Sequence, residues 1–189
     1  NTNAHALARY AALCQESSIV PIVEPEILMD GDHTIDDCYD VSRESYTTVF
    51  NALDTQNVLL EGIVLKPNMV VSGIGCNIQA SVEEVADKTV DCLKNTVPGD
   101  VPGCAFLSGG QSSQLATEHL NKMNQNYKET LPWNLTFSYG RALQSSALKI
   151  WKGKEQNIDL AQEAFYIRAK YNSLATCGNY SKDMEVLEV

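Results

Sequence analysis

Apolar positions along the chain follow two alternating rhythms. In AHALARYAALCQES, residues 4–17, they recur at helical spacing and place Leu7, Tyr10, Ala11 and Cys14 on one face. The next run, IVPIVEPEIL (19–28), is short, apolar and β-branched, the pattern of a buried strand. MDGDHT reads as a turn, after which Thr34 can cap a helix over about 35–54 with Ile35, Cys38, Val41, Ser45 and Val49 on its buried side. VLLEGIVLK (58–66) predicts a second buried strand. Ser81 then opens SVEE, a capping-box sequence, for a helix reaching about Asn95 and ended by VPGDVPG. GCAFL (103–107) predicts a third strand, SGGQSS leads into a helix over about 112–125, and LTFSYG (135–140) predicts a fourth strand. Helices over about 142–151 and 157–175 complete the order.

A helix followed by four strand–helix units implies a parallel sheet with helices packed on it. Chemically distinctive residues stand at the C-terminal ends of all four predicted strands. Glu24 and Lys66 are 42 residues apart, Lys66 and Ser108 another 42, and Ser138 follows 30 later. In parallel α/β folds that edge is where active sites are built. The pattern divides the chain into an α/β body over 1–176 and a tail over 177–189, polar and acidic at first, which is expected to fray.

Charge and cysteine content narrow the function classes. A formal net charge of −10 argues against nucleic acid or an anionic membrane surface as the main partner, since both demand a basic field. An anionic small molecule remains compatible if a few cations are gathered in one pocket. No apolar run has the length of a membrane span. The six cysteines form no CxxC pair and no zinc-spaced cluster with histidine, so they read as free thiols of a reducing compartment. His5, His33 and His119 likewise lack metal-ligand spacing and read as structural or solvated. The opening NTNAHALARY has no initiator Met and reads as the start of an incomplete sequence.

Lys66 is the residue that most needs explanation. A lysine just past a strand end commonly snorkels into water. Here Leu60, Ile63, Val64 and Leu65 precede it and Pro67 fixes the chain's exit, which together imply burial. Desolvation favours the neutral form of an amine, the form that attacks a carbonyl to give a Schiff base. Glu24 and Glu26, in VEPE, are two residues apart, so an extended backbone turns both carboxylates to one side. They read either as surface charges or as a pair poised for the proton transfers that carbinolamine dehydration requires. The glycines of LSGGQS and the following helix start can approach an anion, although a tight turn explains them equally well. Ser138, Gly140 and Arg141 in FSYGRAL offer a second anion-binding set. In a (β/α)8 barrel a phosphate site often follows the last two strands, which would unite the two sets.

Taken in order, VPIVEPEIL, LEGIVLKPNMV, FLSGGQS and LTFSYGRALQ resemble the signature stretches of class I fructose-1,6-bisphosphate aldolase, and the match runs from ALARYA at 6–11 to NSLA at 172–175. The resemblance implies the C-terminal half of a (β/α)8 barrel with parallel strands, in a family whose members are cytoplasmic homotetramers of glycolysis. They cleave a phosphorylated sugar, fructose 1,6-bisphosphate, without metal or organic cofactor. It further implies that Lys66 is the Schiff-base lysine, Glu24 the proton-handling glutamate and Glu26 its active-site neighbour. Ser108, Gly109, Ser138, Gly140 and Arg141 fall where the family holds the dihydroxyacetone-side phosphate. Two departures stand against the family pattern. The N-terminal half of the barrel is not matched and would be the chain's first partner, and the sequence ends in EVLEV where the family commonly carries a terminal tyrosine. The same residues also suit another Schiff-base barrel lyase, such as a transaldolase-like enzyme, or a non-catalytic remnant acting as a binding module.

Overall fold

The computed structural model describes residues 1–187 of the chain. Helices and strands alternate as the pattern predicts: α1 (Thr2–Glu16), β1 (Ile22–Val23), α2 (Ile35–Thr55), β2 (Val64–Leu65), α3 (Val82–Thr96), β3 (Gly103–Phe106), α4 (Ser113–Tyr127), β4 (Asn134–Phe137), α5 (Arg141–Trp151) and α6 (Ile158–Ala175). The strands form one sheet in sequence order, and every neighbouring pair is parallel. No helix among the described residues is long and apolar enough to cross a membrane.

The first two strands are much shorter than 19–28 and 58–66, each reduced to two residues. Prolines explain the first, because Pro21 and Pro25 have no N–H to give to a ladder. At the second, Leu60–Gly62 closes a 3-10 turn, held by the Gln15 side chain, which accepts from Leu59 N–H at 2.9 Å and donates to Leu59 O at 2.8 Å. A Cβ at Gly62 would lie 2.9 Å from the Gln15 amide nitrogen, so any larger residue there would displace that side chain. Single backbone bonds nevertheless carry the parallel alignment past the strand ends. Lys66 N–H donates to Val23 O (2.8 Å), Leu107 N–H to Pro67 O (3.1 Å) and Ser138 N–H to Phe106 O (2.8 Å).

One face of the sheet is sealed. Val23, Leu65, Cys104 and Phe106 are fully buried and share a core with Tyr46 and Leu53 of α2, Val85 and Leu93 of α3, and Leu120 and Met123 of α4. Alternate residues point the other way, and that face is not covered by helices at β1, where Ile22 is 48% exposed. The expectation that 19–28 is buried throughout therefore fails at Ile19 and Val20 ahead of the strand, at Ile22 on its uncovered side and at Leu28 beyond it.

Two helix faces differ in part from those expected. In α1 Ala11 is buried as expected, together with Ala4 and Ala8, while Tyr10 is exposed; in α2 Ile35, Cys38 and Val49 are buried as expected, Ser42, Tyr46, Phe50 and Leu53 join them, and Val41 is exposed. The full capping box forms at Thr34, whose side chain accepts from Asp37 N–H while the Asp37 carboxylate accepts from Thr34 N–H. At Ser81 the serine arm is made, with Oγ accepting from Glu84 N–H at 3.2 Å.

The tail does not fray over its described length. Tyr180 and Glu185 are buried, and Glu185 forms an ion pair with the buried Arg168 of α6. Tyr180 hydroxyl donates to the same carboxylate (2.7 Å), and Tyr171 hydroxyl donates to Met184 O (2.6 Å). The polar composition that suggested a solvated end instead supplies partners for a buried guanidinium. Glu188 and Val189 lie outside the described residues.

Candidate active site

The β1–β2 register aligns Val23 with Leu65, so the next residues, Glu24 and Lys66, emerge side by side at the C-terminal edge of the sheet. Lys66 Nζ lies 2.9 Å from Glu24 Oε1. Sequence alone implied a buried lysine, but the side chain is 20% exposed and that of Glu24 42%. Both residues stand one step past Val23 and Leu65, which end their strands fully buried, at the open C-terminal edge of the sheet. Pairing with the carboxylate, as well as partial desolvation, sets the amine's environment.

Glu26 follows Glu24 across Pro25. Both line a cavity of about 320 Å³ with Asn3 at the start of α1 and Glu44 and Thr48 of α2. Residues 24–26 are loop and not strand, so the alternation expected of an extended strand does not apply to them.

At the end of β3, Ser108 is buried, and Gly109 and Gly110 follow with φ of +50° and +71°. That left-handed pair turns the chain into α4, where Ser112 Oγ accepts from Leu115 N–H at 3.2 Å. At the end of β4, Ser138 is half-buried, Gly140 precedes the first turn of α5, and Arg141 begins it. Tyr139 anchors this exit, its buried hydroxyl donating to Ala116 O of α4 at 2.9 Å. Burial keeps that hydroxyl protonated, well above the usual phenol range. Gly109 and Arg141 open onto two cavities of about 340 Å³ each, and Gln111 and Ser112 stand in the walls of both.

His119 is buried in α4 with Nδ1 at 2.6 Å from Gln111 Oε1, and burial pushes its pKa down to about 4. It is a neutral core imidazole at physiological pH. No group of three or more His, Cys, Asp or Glu among the described residues is arranged to hold a metal ion. The six cysteines are free thiols.

Sequence reasoning passed over Asn68. It is 3% exposed and fully hydrogen-bonded beneath the strand ends that carry Lys66 and Glu24. The available signal was an asparagine inside the otherwise apolar KPNMVV, since a buried amide must find partners.

Comparison with known proteins bears directly on this arrangement. The family model for glycolytic class-I fructose-bisphosphate aldolase matches residues 1–188. A probable fructose-bisphosphate aldolase class 1 of Xanthomonas campestris is 58% identical over 179 residues, covering 94% of this chain and 53% of the relative. Cytosolic fructose-bisphosphate aldolase 4 of Arabidopsis thaliana is 53% identical over 186 residues, covering 98% of this chain and 47% of the relative. Among solved structures, fructose-bisphosphate aldolase from Plasmodium falciparum, in complex with TRAP and a small-molecule inhibitor, superposes with a TM-score of 0.91 at 50% identity, covering 94% of this chain and 51% of that one. The chain therefore spans about half the length of the relatives it matches, and its four-stranded sheet corresponds to part of their TIM barrel. With the sheet, the family model and the relatives in agreement, the chain belongs to the class I fructose-bisphosphate aldolase family.

Proposed function

We propose that this chain carries the Schiff-base machinery of a fructose-1,6-bisphosphate aldolase, which cleaves the ketose reversibly to dihydroxyacetone phosphate and glyceraldehyde 3-phosphate. The reading rests on the 2.9 Å contact between Lys66 Nζ and Glu24 at the C-terminal ends of adjacent parallel strands. Glu24 takes the ammonium proton, and the freed amine attacks the ketose C2 carbonyl to form a carbinolamine. Glu24 returns the proton to the departing hydroxyl, which leaves as water, and the iminium remains. The iminium then draws in the C3–C4 bonding pair as the Glu24 carboxylate removes the C4 hydroxyl proton. The aldehyde departs, the resulting enamine takes a proton at C3, and water releases the ketone from Lys66.

In this proposal Glu26 shares the pocket with Glu24, and Ser108, Gly109, Ser138, Gly140 and Arg141 hold a substrate phosphate. Backbone N–H groups at the left-handed glycines and the Arg141 guanidinium provide the chemistry for that role. The covalent adduct on Lys66 takes the place of a metal or organic cofactor. The remaining strands of the barrel complete the pocket, and a homotetramer in the cytosol is the expected assembly, as the naming of the Arabidopsis relative suggests for the compartment.

Turnover of fructose 1,6-bisphosphate by the chain alone, and by the chain supplied with the N-terminal half of a relative, tests the proposal. The expected result is negligible turnover alone and turnover in the complemented protein that Lys66→Arg abolishes. Turnover that survives Lys66→Arg would contradict it, as would a folded, complemented barrel without activity.

A further inference from the structure

Glu24, Pro25 and Glu26 leave the sheet without a strand to hold them, yet their carboxylates occupy defined places. The constraint comes from three residues at the exit of β2. Ahead of Glu24, Val23 O accepts from Lys66 N–H at 2.8 Å. Beyond Glu26, Ile27 N–H donates to Asn68 Oδ1 at 3.2 Å. The segment bearing both carboxylates is thus a short span stretched between two anchors, both within residues 66–68.

The second anchor is itself fixed on every side. Asn68 Oδ1 also accepts from Tyr46 hydroxyl at 2.7 Å, and that hydroxyl lies 3.2 Å from Asn68 O. Asn68 Nδ2 donates to Ser42 Oγ (3.2 Å) and to Met69 O (3.1 Å). Asn68, Tyr46 and Ser42 are all buried. Burial holds Tyr46 protonated, so it remains a donor to Oδ1. The amide's orientation is therefore determined: its oxygen faces two donors and its nitrogen two acceptors. Two side chains of α2 hold the amide, and the amide holds the backbone just past Glu26.

We propose that Asn68 is a positioning residue, whose side-chain oxygen pins Ile27 N–H and so fixes the Glu24–Glu26 segment against Lys66. The inference takes its catalytic meaning from the Schiff-base reading above. Without the pin the segment has one anchor, and the Glu24 carboxylate no longer has a fixed place beside the amine.

Competitive acetylation of the full chain with trace acetic anhydride tests the pin without any substrate. The rate at Lys66 is read by mass spectrometry against that at exposed Lys154. In the unaltered chain Lys66 is expected to react more slowly than Lys154, being paired and largely shielded. Asn68→Ala is expected to raise the Lys66-to-Lys154 ratio about fivefold, the factor that loss of one buried hydrogen bond allows. Asn68→Asp, which keeps an oxygen for Ile27 and Tyr46, is expected to bring the ratio back toward that of the unaltered chain. Thr89→Val removes a different buried bond in the same exit, Val70 N–H to Thr89 Oγ1 at 2.9 Å, and is expected to leave the ratio unchanged at similar cost in stability. An unchanged ratio in folded Asn68→Ala overturns the proposal, as does an equal rise in Thr89→Val or a failure of Asn68→Asp to lower it. If Asn68→Ala does not fold, Tyr46→Phe decides by the same ratio, a rise supporting the pin and no change overturning it. Borohydride trapping with dihydroxyacetone phosphate on the same variants separates the two readings. The trapping rate at saturation should fall in Asn68→Ala while the half-saturating concentration holds. Absence of any adduct in the unaltered chain would refute the Schiff-base reading, while the acetylation ratio still decides the role of Asn68.

Discussion

At the residue scale the proposed chemistry rests on a lysine and a glutamate whose side chains meet because their strands are parallel and in register. Lys66 resists the common surface reading through its company: Glu24 at 2.9 Å, buried Ile63 and Leu65 before it, and buried Pro67 after it. Glu24→Gln keeps the shape and removes the proposed proton acceptor. It is expected to slow adduct formation on Lys66 by about 10²–10⁴-fold, the usual worth of a general acid–base, measured as the initial rate of borohydride-trapped product. His119 governs a different property. Its pKa is about 4 in the folded chain against an ordinary value of 6.5, so the unfolded chain binds the extra proton between those values. Stability from this group is complete above about pH 6.5 and is lost as pH falls toward 4, on the order of 3 kcal/mol in all. Urea unfolding at pH 7 and pH 5 should show this loss in the unaltered chain and less of it in His119→Gln.

At the element scale the sheet is held by what its strands bury on one side. Leu65 is fully enclosed among residues of β1, β3 and the helices, so Leu65→Ala should cost about 2–5 kcal/mol, read from the urea midpoint. The tail is a second case. Glu185→Ala removes the carboxylate from a buried pair with Arg168 and should cost about 3–5 kcal/mol, releasing the segment that carries Tyr180. Thermal unfolding of that variant, together with proteolysis near residue 180, checks both effects.

These same elements mark how far the sequence could be read. The helix–strand order and the parallel sheet were legible because hydrophobic period and turn chemistry are local signals, whereas the ion pair of Lys66 with Glu24 joins residues of two strands and is set by their register. Strand lengths were not, because the apolar run at 19–28 contains prolines that stop the ladder and Leu60–Gly62 curls into a turn tied to distant Gln15. Nor was the burial of the tail, since Arg168 and Glu185 belong to different elements and meet only when α6 ends and the chain turns back. Asn68 was hidden for a similar reason: its partners Ile27, Ser42 and Tyr46 come from other elements.

At the scale of the whole molecule, four parallel strands and their helices make an arc with Lys66 at its C-terminal edge, one sealed face and one face that exposes Ile22. In the relatives, which are about twice as long, that face belongs to a closed barrel. The proposed nucleophile, proton acceptor and phosphate groups all lie at or just past the strand ends of this sheet, so covalent capture of a ketone should need less of the barrel than full turnover does. The most direct test of that claim is to incubate the folded chain with dihydroxyacetone phosphate, reduce with borohydride and locate the modified residue by mass spectrometry. The account predicts a single reduced adduct on Lys66, lost in Lys66→Arg. An adduct spread over exposed lysines, or none at all in a folded sample, would contradict it.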